Sequence, residues 1–257
     1  MSIEKIPLSV AVITKNESAN LPRCLESVHF ASQVVIVDSG STDDTLRIAK
    51  DAGCDIFSEL WCGFGPQKQM AVDRCREPWI LILDADERIP DETAVKIREI
   101  ILADNSSVSG YSFPRKNFFQ DRWIRHAGWW PDKVIRLFRK SKGRMTNAPV
   151  HEAVEVDGEV KYLPDPIEHF TESRLSEILL KIDQYSTLGA EEAFRSGKKS
   201  TVASAVLRAA LTFFQDYLLR LGFLDGPQGM ILAMTDATNK FFKYAKLAKL
   251  SRKQRQA

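Results

Sequence analysis

The sequence predicts an α/β fold: an open, mostly parallel sheet with helices on both faces, followed by a helical extension. Three observations predict it. Short apolar runs at Leu8–Ile13, Val34–Val37 and Trp79–Leu83 alternate with helical stretches, the pattern of βαβ units. The runs are nearly unbroken, as in strands buried on both faces of a parallel sheet. Each run ends in a polar loop, and open α/β sheets bind ligands beyond the carboxyl ends of their strands.

In chain order, the Leu8–Ile13 strand leads into the loop Thr14-Lys15-Asn16-Glu17-Ser18-Ala19-Asn20. Asn20 suits the N-cap of a short helix ending at Ser27, with Pro22 tolerated in its first turn. The Val34–Val37 strand ends in Asp38-Ser39-Gly40-Ser41-Thr42-Asp43-Asp44-Thr45, and the helix after it stops at Gly53. A weaker strand covers Cys54–Ser58, and Pro66–Cys75 reads as helix. The Trp79–Leu83 strand runs into Asp84-Ala85-Asp86, and Pro90-Asp91 opens a helix to about Leu102. Strand-like pieces at Gly110–Phe113, Val134–Phe138 and Val154–Val156 complete a first domain at residues 1–170. Residues 171–257 read as three helices: Glu172–Arg195, Thr201–Leu221 and Gln228–Leu250. Leu207, Leu211, Phe214, Leu218 and Leu221 recur at spacings of three and four, one face of the second helix.

Composition bounds the function. A chain of 257 residues, 44% hydrophobic and 27% charged, builds a folded core, and a net charge of +2 gives no global nucleic-acid signature. Cys24, Cys54, Cys62 and Cys75 form no CxxC pair, so they read as free thiols of a reducing compartment rather than zinc ligands. The N-terminus lacks the layout of a signal peptide, and no run of 18 uncharged apolar residues occurs, so no spanning helix is expected. The expected location is cytoplasmic, free or attached to the cytoplasmic face of the inner membrane.

Asp84 and Asp86 carry the sharpest signal. On an extended chain, side chains two apart point the same way, so both carboxylates can meet beyond the sheet. Like charges that close are costly unless something positive joins them, and a divalent cation carrying phosphate oxygens would do so. The alternative is a pair of ordinary surface acids. Asp38, at the tip of a buried strand, can accept from a base or a ribose, and Ser39 and Gly40 allow close approach; helix capping by Ser41, Thr42 or Asp43 is the other reading. No GxGxxG and no GxxxxGK[ST] occurs, which counts against a Rossmann dehydrogenase and a P-loop enzyme.

Together, Val10–Glu17, Val35–Thr45 and Leu83-Asp84-Ala85-Asp86-Glu87 resemble the family 2 glycosyltransferases of the GT-A fold. Arg136-Leu137-Phe138-Arg139 and Val150-His151-Glu152 resemble a subgroup that adds glucose or a similar sugar to the inner core of bacterial lipopolysaccharide. The resemblance implies that Thr14, Asn16, Glu17, Asp38 and Ser39 hold the nucleoside of a nucleotide sugar, UDP-glucose above all. It implies that Asp84 and Asp86 reach Mg2+ or Mn2+ on the diphosphate, and that Lys68 joins the donor site unless it is a solvated helix lysine. Arg136 and Arg139 are candidates for phosphate contact. The family inverts the anomeric carbon. That chemistry requires a general base for the acceptor hydroxyl, with Glu152 the first candidate and His151 the second. The chain lacks the Glu-Asp base dipeptide of many members and the QxxRW of processive synthases.

Trp129 and Trp130, in a Gly/Pro loop, offer an aromatic platform for a glycan or glycolipid acceptor; core packing is the alternative. The basic tail, with Lys240, Lys243, Lys246 and Lys249, admits three readings: a solvated helix, a homo-oligomer contact through Phe213, Phe214, Phe241 and Phe242, or an anionic membrane surface reached by the lysines while Phe241, Phe242, Tyr244 and Leu247 dip below. Two other functional classes compete with a glycosyltransferase: a nucleotidyltransferase, and a catalytically silent glycan- or membrane-binding scaffold.

Overall fold

The computed structural model describes residues 4–146, 152–171 and 175–256. The chain divides into two compact units, Met1–Lys116 with Asp132–His169, and Asn117–Pro131 with Phe170–Ala257. Asn117–Pro131, placed by the sequence in the first domain, therefore belongs with the C-terminal helices.

The first half alternates strand and helix: β1 (Ile6–Thr14), α1 (Leu21–Ser27), β2 (Ala31–Asp38), α2 (Thr45–Asp51), β3 (Asp55–Ser58), α3 (Phe64–Arg74) and β4 (Trp79–Asp84). There follow β5 (Glu87–Arg88), α4 (Asp91–Ala103), β6 (Val108–Phe119), β7 (Arg122–Trp123), β8 (Asp132–Arg139), β9 (Gly143–Met145), β10 (Val154–Val156), β11 (Glu159–Tyr162) and β12 (Ile167–Phe170). The sheet order is β3-β2-β1-β4-β8-β6-β12-β5, with β11 also paired to β6 and a separate β9–β10 ladder. The first four strands are parallel. From β8 onward antiparallel pairs enter, so the sheet as a whole is mixed.

Burial on both faces explains the unbroken apolar strands. Leu81 and Leu83 point to one side, where they pack with Leu21 and Leu25 of α1, Ala49 of α2 and Ile97 and Ile101 of α4. Ile80 and Ile82 point to the other, against Ala71 and Val72 of α3. Register then aligns the site: Thr14 lies beside Asp38, and Ile13 beside Asp84. The three polar loops after β1, β2 and β4 thus share one sheet edge.

The second unit holds α5 (Leu175–Arg195), α6 (Val202–Phe214), a π turn (Gln215–Leu219), a 3-10 turn (Gly222–Asp225) and α7 (Gly226–Gln256). Asp225 anchors the Asn117–Pro131 segment by accepting from the backbone N–H groups of Arg125 and His126. Leu247 is fully buried with Ala190 and Ala193, and Tyr244 packs on the same cluster. Lys246 donates to Asp183, Ser186 and Thr187 on α5. The tail residues expected to dip into lipid are therefore, for Tyr244 and Leu247, helix-packing residues, and Lys246 is an interhelical tie. Among the described residues, one stretch, Val202–Leu219, is long and apolar enough by length and composition to cross a membrane, despite its Arg208 and Asp216.

Gly65 sets how closely α3 approaches the strand that leads to Glu152. A Cβ there would lie 2.2 Å from the Thr146 carbonyl oxygen, which is backbone and cannot swing aside. We expect Gly65→Ala to destabilise the protein by about 1–3 kcal/mol in urea unfolding, whereas Gly40→Ala, with open space at its Cβ, is strained only by its positive φ of 86°.

Candidate active site

The loops after β1 and β2 are stitched together by side chains. Asp38 is fully buried, and four donors surround its carboxylate. The Thr14 and Ser41 hydroxyls donate to Oδ1 at 2.8 and 2.5 Å, and the Gly40 and Ser41 N–H groups to Oδ2 at 2.9 and 2.8 Å. A carboxylate has about four lone-pair sites, so this one is filled. Asp38, expected to face a ligand, instead organises its own loop. Asn16, at φ 57°, donates its N–H to the Ser41 hydroxyl and accepts the Thr42 N–H on its side chain. The Glu17 N–H donates to Thr45, and its carboxylate accepts from Asn20. Asn20 sits at the helix start, but its side chain makes no capping bond there. The Ser39 N–H donates to the Thr14 carbonyl, and its hydroxyl accepts from Gln67 of α3. The result is a rigid rim in which Asn16 and Thr42 are exposed and Ser39 and Ser41 partly so.

Beside this rim lies an ionic cluster. Lys68, 3% exposed, reaches Asp84 Oδ1 at 2.7 Å and Glu152 Oε1 at 3.0 Å. Arg136 reaches Asp84 Oδ2 at 2.8 Å and the fully buried Glu87 at 2.6 Å. Arg115 bridges Glu87 and Asp132. Glu87 also accepts the Asp84 N–H. Burial alone would raise the Asp84 carboxyl, but Lys68 and Arg136 outweigh it and hold it well below the usual aspartate range. Burial likewise opposes the Arg136 charge, and Glu87 and Asp84 more than restore it. The Arg136 Nε is buried with no partner.

Asp86 behaves differently. The strand ends at Asp84, and Ala85-Asp86 form a turn before β5. The two aspartates therefore do not share an extended stretch, and they face different partners. Asp86 lies 3.3 Å from Nε2 of His169, which β12 brings opposite Glu87. Burial disfavours the charged His169 ring, yet its hydrogen bond and attraction to Asp86 raise its pKa. Asp84, expected to share a metal with Asp86, has both oxygens taken by cations of the chain.

The donor set fits a divalent cation in one place. Lys68, Arg115 and Arg136 pair with four carboxylates, Asp84, Glu87, Asp132 and Glu152, while Asp86 pairs with His169. Asp86 and His169 offer one carboxylate and one imidazole, a set that suits a metal keeping further positions for water or phosphate. No group of three or more His, Cys, Asp or Glu placed to hold a metal occurs among the described residues.

Of the other expected site residues, Glu152 lies beside Lys68, and His151 lies outside the described residues. Arg139 pairs opposite Trp79, at the far end of β4 from Asp84, and bonds Asp104 and the Val108 carbonyl. Trp129 packs on Phe119, Ile124 and Leu232, and Trp130 meets Trp123 edge-on; both belong to the second unit. The sequence assigns no role to His169, Glu87, Arg115 or Gln67. Glu87 carried a signal, an acid directly after Asp-x-Asp. His169 stands 83 positions from Asp86 and carried none.

Two outcomes test this geometry. Because hydrogen bonds lower the folded pKa of Asp38, its stabilisation is present above the ordinary aspartate pKa and is lost as pH falls through the lowered folded value. We expect Asp38→Asn to cost about 1–3 kcal/mol at pH 7, with the gap from wild type closing as urea melts are repeated at lower pH. Lys68→Met leaves Glu152 without its cation and Asp84 with Arg136 alone. With Asp84 partly exposed, we expect a loss on the order of 2–3 kcal/mol, partly recovered in Lys68→Met/Asp84→Asn.

Comparison with known proteins follows the same segments. The family model for glycosyl transferase family 2 matches residues 9–155. The lipopolysaccharide core biosynthesis glycosyltransferase LpsC of Rhizobium meliloti (strain 1021) is 34% identical over 95% of this chain and 93% of its own. An uncharacterized glycosyltransferase of Rickettsia felis is 30% identical over 95% and 90%. Among solved structures, glucosyl-3-phosphoglycerate synthase from Mycobacterium tuberculosis, in complex with Mn2+, UDP and phosphoglyceric acid, matches 67% of this chain and 73% of its own at 16% identity and TM-score 0.47. With more than half its length matched by the family model, and a relative aligned over nearly all of it, the chain belongs to glycosyl transferase family 2.

Proposed function

We propose that this family 2 glycosyltransferase is an inverting, divalent-metal-dependent enzyme. It transfers a hexose, glucose from UDP-glucose, to a glycan or glycolipid acceptor of the lipopolysaccharide core type. The name of the Rhizobium relative supports the acceptor class. The observation that carries the rest is the ionic cluster at the β4 edge, with Asp86 in the following turn beside His169.

In this reading the Thr14–Glu17 and Ser39–Thr42 rim receives the nucleoside, and Asp38 contributes by holding that rim rigid. Asp86 and His169 would hold Mg2+ or Mn2+, which when bound supplies Lewis-acid stabilisation of the leaving diphosphate. Lys68 and Arg136 keep positive charge fixed beside the same region, and the unpaired Nε of Arg136 is a spare donor for a phosphate oxygen. Asp84 positions both cations. Glu152, with one oxygen held by Lys68, takes the proton of the acceptor hydroxyl as that oxygen attacks the anomeric carbon. The sugar–phosphate bond breaks on the opposite face, so an α-linked donor yields a β-linked product.

A thermal-shift screen of nucleotide sugars with and without Mn2+, followed by product analysis with a truncated core acceptor, tests the assignment. We expect Mn2+-dependent stabilisation by UDP-glucose. That increment should vanish in Asp86→Asn and His169→Ala while both stay folded. Glu152→Gln should keep donor binding and lose kcat by about 10²–10⁴-fold. Donor binding without any transfer would favour a silent scaffold, and full activity in Glu152→Gln would exclude it as the base.

A further inference from the structure

The leucine stripe of α6 does not face a core. At 3.6 residues per turn, Leu207, Leu211 and Phe214 lie opposite Ala205, and Leu218 extends the same row into the π turn. Ala205 and Asp216 are the buried residues of the Val202–Leu219 stretch, on the side packed against α7. The stripe points outward: Leu207 is 60% exposed, Leu211 58%, Phe214 48% and Leu218 44%. Phe223 and Leu224 in the following turn are also exposed. A row of large apolar side chains of this extent is an interaction surface rather than scattered exposure.

Charge decides what the surface meets. The second unit carries 16 Lys and Arg against 9 Asp and Glu, a net +7, while the first carries 20 against 25, a net −5. Lys198 and Lys199 stand exposed directly before α6, and Arg220 follows the stripe, about half exposed. Apolar residues bounded by basic ones at both ends match a bilayer interface, with side chains in the acyl boundary and cations among anionic headgroups. A second copy of this chain would bring one net-positive unit against another, which disfavours self-association through this face. Spanning is disfavoured because one side of α6 is committed to α7 and carries Asp216, ion-paired with Arg220.

We infer that the second unit binds anionic membrane surfaces by laying the Leu207–Leu218 face of α6 in the interfacial plane, with Lys198 and Lys199 on the headgroups. This role stands independently of the donor-site chemistry and moves the contact away from the tail residues Tyr244 and Leu247.

The test is flotation of the full-length protein with phosphatidylcholine vesicles containing one quarter phosphatidylglycerol, and with phosphatidylcholine alone. The expected result is association with the anionic vesicles, weakened at least tenfold in Leu211→Glu/Leu218→Glu and several-fold in Lys198→Glu/Lys199→Glu. Turnover of a soluble acceptor should be unchanged in both variants. If the double glutamate variant loses its fold by circular dichroism, Leu207→Gln/Leu211→Gln takes its place. Absence of flotation, or flotation that these substitutions leave unchanged, overturns the inference. So does a dimer in light scattering that Leu211→Glu dissociates without any vesicle binding, or resistance of the bound protein to alkaline carbonate, which marks a spanning helix.

Discussion

The pairing of Asp84 with Lys68 and Arg136 at the end of β4 is the interaction on which the site depends. It fixes α3, which carries Lys68, against the central strand, and β8, which carries Arg136, against the same strand from the other side. Through Glu87 and Arg115 it reaches β6, and through Glu152 it reaches the segment directly before β10. A buried cluster of this kind contributes little net stability compared with an apolar one of similar volume. Its consequence is specificity of arrangement: each cation has two acidic partners and only one geometry satisfies both.

That arrangement gives the two aspartates of Asp-x-Asp different surroundings. Asp84 and Glu87 hold Lys68 and Arg136 in place, the fixed positive charge that the proposed donor site would need beside a diphosphate. Asp86 instead sits in the turn after β4, next to the His169 imidazole. The Asp-x-Asp sequence is thus two residues with unlike surroundings. One is a counter-ion to Lys68 and Arg136, and the other faces the imidazole of His169.

The second unit follows a different logic. Its helices bury small residues, Ala190, Ala193 and Ala205, alongside Ile182, Leu232 and Leu247, and leave the leucine row of α6 outside. Packing through small residues brings α5, α6 and α7 close together and frees the leucine row of α6 for an external surface. The charge division between the units accompanies this: the helical unit is net basic and the first unit net acidic.

The sequence by itself determined the strand and helix alternation, the shared loop edge and the family, because burial on both faces imposes unbroken apolar strands and because loop motifs are local. It also marked Lys68, Asp84, Asp86, Arg136 and Glu152, which the fold gathers into one neighbourhood or its immediate edge. Tertiary structure alone decided how those residues pair. The filling of Asp38 by four donors, the turn that parts Asp86 from Asp84, and the arrival of His169 from β12 depend on register across strands far apart in the chain. The outward turn of the α6 stripe is of the same kind. Spacings of three and four state that a face exists, and only the packing of α7 on Ala205 and Asp216 states which way it looks.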